Sequence, residues 1–113
     1  MYEKLGFFIN GEWRNGSGKG EDVLNPANES VLAFLPHASQ KDLEDALESA
    51  QRGFKIWKNT PVQKRAAILQ KTADLIEERS EQIARIITLE QGKPLRESQG
   101  ELQRTVETFR WNA

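Results

Sequence analysis

The chain contains no cysteine among its 113 residues. That excludes a disulfide framework, a thiolate metal site and a cysteine nucleophile within it. It has one histidine, His37, standing between Pro36 and Ala38 at the end of an apolar run. Alone, with no second histidine, cysteine or glutamate at ligand spacing, it is read as a solvated residue and assigned no metal. An excess of charge is also missing: 16 Lys and Arg stand against 17 Asp and Glu, and no basic run forms a stripe. Electrostatics therefore give no reason to expect nucleic acid or an anionic membrane as partner. No apolar stretch approaches the roughly 18–20 residues that span a bilayer. The opening, Met1 to Gly6, has no apolar core of a signal peptide. A cytoplasmic protein is expected, and the two sequons, at Asn15 and Asn28, are set aside as chance matches.

What is present divides into two parts. In residues 1–37 short strand-like runs alternate with turn residues. Phe7-Phe8-Ile9 and Glu12-Trp13-Arg14 flank Asn10-Gly11, the pair best suited to a type I′ hairpin turn, in which both central residues take φ > 0. Asn15-Gly16-Ser17-Gly18-Lys19-Gly20 reads as a flexible connection. It lacks the spacing of a phosphate loop and does not open a helix. A second hairpin is expected from Val23-Leu24, a turn at Asn25-Pro26-Ala27-Asn28, and Val31 to Leu35, closed by Pro36.

Residues 39–113 read as helices. Ser39 with Asp42 resembles a capping box, and Leu43, Ala46, Leu47, Ala50, Phe54 and Trp57 follow at helical spacing. Thr60-Pro61-Val62-Gln63 predicts a second start, with Thr60 as cap and Pro61 in the first turn. Ser80 is expected to cap a third helix, and Gly92 to end it in the left-handed region. A fourth helix begins near Pro94 and carries Leu95, Leu102, Val106 and Phe109; Gly100 inside it implies close packing against a neighbour. Aromatic residues still arrive at core spacing at Phe109 and Trp111, without a stop signal, so the chain reads as truncated. No nucleophile elbow or self-sufficient active site is found, and the carboxylates alternate with basic residues as on solvated helix faces.

Six segments in order resemble the aldehyde dehydrogenase superfamily. They are Phe8-Ile9-Asn10-Gly11-Glu12-Trp13, Asn25-Pro26-Ala27-Asn28-Glu29, the helix from Ala46 to Trp57, Arg65-Ala66-Ala67-Ile68-Leu69, Ala73-Asp74-Leu75-Ile76-Glu77, and Leu89-Glu90-Gln91-Gly92-Lys93-Pro94-Leu95. The resemblance implies an α/β parent several times longer. Residues 1–113 would be the N-terminal part of a single, incomplete coenzyme-binding domain: β-hairpins followed by about four α-helices. It implies NAD or NADP as coenzyme, an aldehyde substrate and a homo-oligomer. In that family a cysteine thiolate attacks the aldehyde, hydride passes to NAD(P)⁺, and activated water releases the acid. None of those groups is in this chain, which is expected to be inactive alone.

Leu-Glu-Gln-Gly-Lys-Pro-Leu followed by Gly100-Glu101 is most similar to the succinate-semialdehyde branch and relatives acting on carboxylated semialdehydes. The resemblance also places a monovalent cation site at Glu90 with the backbone carbonyls of Val23 and Leu24. Glu90 would sit at a helix C-terminus, where an acid is unfavourable without a cation; Lys93 is the alternative partner. The rival reading is a free-standing helical interaction module, which needs the four helices to close a core by themselves.

Overall fold

The computed structural model describes residues 5–16 and 18–113. Two two-stranded antiparallel sheets precede four helices: β1 (Phe7–Ile9), β2 (Glu12–Arg14), β3 (Gly20–Leu24), β4 (Val31–Pro36), α1 (Gln40–Asn59), α2 (Val62–Glu78), α3 (Ser80–Gln91) and α4 (Leu95–Trp111). The chain divides into two compact units. One holds the described residues up to Asn25 with Glu29–Asn59; the other holds Pro26–Asn28 with Thr60–Ala113. Among the described residues no helix is long and apolar enough to cross a membrane.

In the first unit β1 and β2 pair with Phe7 opposite Arg14, Phe8 opposite Trp13 and Ile9 opposite Glu12. Asn10 (φ 55°) and Gly11 (φ 82°) make the turn, the two positive values that a two-residue hairpin of this hand requires. Alternation along β1 buries Ile9 and leaves Phe8 on the other face, its ring 5.3 Å from that of Trp13.

The second hairpin starts earlier than the sequence suggests, at Gly20 instead of Val23. The segment read as a flexible connection is partly packed: a Cβ on Gly16 would run into Pro36, and one on Gly20 into the Leu35 carbonyl and Phe34 ring. These glycines allow close approach instead of supplying slack. Ser17, read as part of the same connection, lies outside the described residues. Pro36 is the last residue of β4, opposite Gly20, and is buried. The loop between the strands runs through Ser30, whose carbonyl accepts from the Asn25 amide at 2.9 Å, and Glu29 turns it at φ 58°.

At the start of α1 the Ser39 hydroxyl accepts from the Asp42 amide at 3.2 Å, and the Ser39 amide donates to Asp42 Oδ2 at 2.9 Å. Asp therefore completes a reciprocal box usually closed by Glu or Gln. The α1 stripe forms as its spacing predicts, yet no α1 residue is buried, and Leu43, Leu47, Phe54, Ile56 and Trp57 are exposed.

The second unit is a three-helix arrangement in which α4 packs on α2 and α3. Ala73 of α2, Ala84 of α3, and Ser98, Leu102 and Val106 of α4 are its buried residues. Alanines at 73 and 84 let helices approach, so α4 supplies the larger apolar volume.

Three local expectations are corrected. Pro61 (ψ 141°), and not Thr60, is the residue before α2, and it offers no side-chain capping hydrogen bond. Ser80 is the first residue of α3, not its cap; Arg79 alone separates α2 from α3, leaving no room for an extended cap residue. Gly100 has only the Arg104 side chain of its own helix near a would-be Cβ, at 3.7 Å, so no neighbour packs closely there.

Candidate functional site

The junction of α3 and α4 carries the sequence-assigned acid. Gly92 ends α3 at φ 73°, a conformation that penalises any residue with a Cβ, and its amide donates to the Thr88 carbonyl at 2.9 Å. A Cβ at this position would also come within 2.9 Å of Pro26 Cγ. One turn back, the Thr88 hydroxyl lies 2.9 Å from the fully buried Ser98 hydroxyl, joining α3 to α4. Glu90 stands in the last turn of α3, exposed.

Lys93 does not neutralise Glu90. Its Nζ lies 2.6 Å from Glu101 Oε2, and this ammonium holds the Glu101 carboxyl below its ordinary 4.5. The left-handed residue at 92 reverses the chain, so Lys93 runs along the first turns of α4, where Glu101 is presented. Among the described residues Glu90 has no ion pair. Val23 and Leu24 lie in β3 of the first unit, at the point where the ladder breaks register: Val23 pairs with Ala33 and Leu24 with Val31, leaving Leu32 unmatched. The three assigned residues thus fall in two units, Glu90 in the second and the two carbonyls in the first.

Other polar groupings hold helices and hairpins together. Arg110 of α4 meets Glu77 Oε2 at 2.7 Å and Asp74 Oδ1 at 3.2 Å on α2, and the two carboxylates, Glu77 first, raise its pKa further. Arg14 at the end of β2 meets Asp45 of α1 at 2.6 Å, and Lys41 joins the same carboxylate at 2.9 Å. Lys41 first, then Arg14, holds Asp45 below its ordinary 3.8. His37 Nε2 is 3.7 Å from Glu21 Oε1, with both side chains more than half exposed.

A groove of about 460 Å³ runs along α4 over Gly100, lined by Lys93, Arg96, Glu97, Glu101 and Arg104, charges of alternating sign. A second, about 390 Å³, lies against Leu95 and Leu102 with Glu77, Glu81, Gln99 and Gln103 at its rim. The first has no hydroxyl or thiol in its lining, and in the second, among the described residues, no hydrogen bond joins Ser80 to Glu77 or Glu81. Among the described residues no three His, Asp or Glu side chains are grouped to hold a metal.

Sequence reading missed Ser98 and the Arg14–Asp45 pair. The first had a signal: Ser98 falls four residues before Leu102 and eight before Val106, on the core stripe of α4. The second had none, because 31 residues separate the partners.

Comparison with known proteins agrees with this architecture. The aldehyde dehydrogenase family matches residues 13–113. Malonate-semialdehyde dehydrogenase 2 of Geobacillus kaustophilus is 44% identical over 107 residues, which cover 94% of this chain and 22% of that protein. Malonate-semialdehyde dehydrogenase of Halalkalibacterium halodurans is 44% identical over 112 residues, 98% of this chain and 23% of that one. The NADP-dependent glyceraldehyde-3-phosphate dehydrogenase of Bacillus halodurans, solved with NADP, superposes with a TM-score of 0.91 at 35% identity, over 96% of this chain and 23% of its own. The chain therefore spans less than a quarter of the length of these relatives. With matches of this extent and identity, the chain belongs to the aldehyde dehydrogenase family.

Proposed function

We propose that these residues are the N-terminal part of the coenzyme-binding domain of an NAD(P)-dependent aldehyde dehydrogenase, a cytoplasmic homo-oligomer that oxidises an aldehyde to its carboxylic acid. The observation that carries this reading is the family match across residues 13–113. The coenzyme supplies the hydride acceptor in such a reaction. This chain contributes no reacting group: it has no thiol, and its glycine-rich stretch leads into β3 and not into a phosphate-binding helix terminus. Its part is scaffolding. The helical interaction module is disfavoured by the same family match across residues 13–113.

For the substrate, we infer a short semialdehyde bearing a carboxylate. The relatives named malonate-semialdehyde dehydrogenases support that class and favour malonate semialdehyde over succinate semialdehyde. The complete protein should reduce NAD⁺ or NADP⁺ with malonate semialdehyde, followed by nicotinamide absorbance. A failure with every aldehyde tried would overturn the enzyme reading; higher kcat/KM with succinate semialdehyde would overturn the substrate. The 113-residue chain alone should form no reduced nicotinamide under the same conditions.

The monovalent cation reading of Glu90, Val23 and Leu24 rests on the resemblance. Two local features favour it, each within its own unit: Lys93 is engaged by Glu101, leaving Glu90 at a helix C-terminus without a counter-charge, and the ladder is irregular at Val23 and Leu24. In the complete protein Glu90→Gln should remove a K⁺- or Na⁺-dependent rise in melting temperature. A wild type whose melting temperature follows ionic strength alone has no such site.

A further inference from the structure

The tip of the first hairpin combines features that no scaffold role uses. Asn10 and Gly11 are both exposed, and a Cβ built on Gly11 would meet nothing within 4 Å, so no other part of the chain crowds that side of the turn. The ladder pairs Ile9 with Glu12 and leaves the turn residues outside it; among the described residues the Gly11 amide has no backbone partner. The Asn10 side chain reaches back to α1 within the same unit. Its Oδ1 lies 3.4 Å from Ser49 Oγ and 3.5 Å from Arg52 Nη2, the long end of the hydrogen-bond range. A guanidinium has donors and no acceptor, so the amide atom facing it is the carbonyl oxygen. Arg52 is itself held by Glu48, whose Oε1 lies 2.8 Å from Nη1.

We propose that Asn10 is a self-modifying site, in which Ser49 and Arg52 activate the Asn10 amide toward attack by the Gly11 backbone nitrogen. Two donors, one of them cationic, draw electron density from the Asn10 carbonyl and stabilise the oxyanion that develops on Oδ1 as the nitrogen adds. The Gly11 nitrogen gives its proton to solvent and bonds to Asn10 Cγ. The Cγ–Nδ2 bond then breaks, and the amide nitrogen takes up a proton and leaves as ammonia. Water opens the resulting five-membered imide at one of its two carbonyls, giving aspartate or isoaspartate, with no oxidation or reduction.

The two products differ in consequence. Aspartate tolerates the left-handed conformation of residue 10 and places a carboxylate opposite Arg52, tightening the link from hairpin to helix. Isoaspartate adds a methylene to the turn backbone, which a two-residue loop cannot absorb without shifting the register of β1 and β2. The reaction therefore converts age into a change at the point where the first hairpin meets α1.

The test is peptide mapping of the complete protein after incubation in mildly alkaline buffer. Aspartate and isoaspartate at position 10 are separated by chromatography, and isoaspartate is confirmed by methyltransferase labelling. Conversion at Asn10 should precede conversion at the other asparagines. Arg52→Met should slow it about threefold to tenfold, as expected for loss of one charged donor. The same variant unfolded in urea should convert at the rate of unfolded wild type, which separates activation by the fold from local sequence. An Asn10 that stays intact while the unfolded protein converts would overturn the proposal, as would a folded Arg52→Met variant that converts as fast as wild type.

Discussion

The two units present the same kind of helix in opposite situations. In the second, α4 carries Leu102 and Val106 into contact with α2 and α3, and both are almost fully buried. In the first, α1 carries an equally regular stripe, yet Leu47 is 59% exposed and Phe54 64%. The first unit is held by its hairpin ladders, the capping box and the Arg14–Asp45–Lys41 cluster; the second is held by packing, with Arg110 clamping α4 to α2. An amphipathic pattern states which face needs cover. It does not state what covers it.

The comparison can be broken most directly by truncating one large side chain in each unit. In the 113-residue chain, Leu102→Ala should lower stability by about 2–4 kcal/mol through lost burial and a residual cavity, and Leu47→Ala by less than about 1 kcal/mol. Urea denaturation measures both. In the complete protein, a Leu47→Ala loss equal to that of Leu102→Ala would show that the α1 face is covered there, and the asymmetry would belong to the shorter chain alone.

Glycine substitutions sharpen the contrast at smaller scale. Gly92→Ala should destabilise by about 1–2 kcal/mol, because the left-handed conformation penalises a Cβ and the new atom meets Pro26. Gly53→Ala in α1, with nothing near its would-be Cβ, should stabilise by up to about 1 kcal/mol through helix propensity. Opposite signs in thermal melting are expected; a loss of stability for Gly53→Ala would reveal an unseen neighbour on α1.

The smallest effects are electrostatic. Asp45 in the first unit and Glu101 in the second both titrate below their ordinary values of 3.8 and 4.5, held by Lys41 with Arg14 and by Lys93. A depressed folded pKa stabilises above the unfolded value and loses that contribution as pH falls through the lower folded value. Both ties should therefore weaken only in acid, beneath the ordinary carboxylate range. NMR titration of the side-chain carboxyls should show Asp45 moving up in Arg14→Met while Glu101 stays in place; a joint movement would mean that the two clusters are not independent.

Much of the local structure was legible because its causes are local. Asn10-Gly11 dictated the first turn, since both residues accept positive φ. Ser39 and Asp42 marked the start of α1, and Gly92 the end of α3. Glu90 was located correctly in the last turn of α3, but the alternative partner offered for it does not meet it: Lys93 is three residues away in sequence and pairs with Glu101 beyond the reversal at Gly92.

Sequence alone thus determined where elements begin, where they turn and which faces are apolar, because propensity, capping and side-chain periodicity act over a few residues. Tertiary structure alone decided that Gly16 and Gly20 are points of close packing while Gly100 is open, that Ser98 is buried against Thr88, and that α4 is covered and α1 is not. Each depends on residues distant in the chain arriving at the same place, and the sequence pattern of one element carries no record of its neighbour.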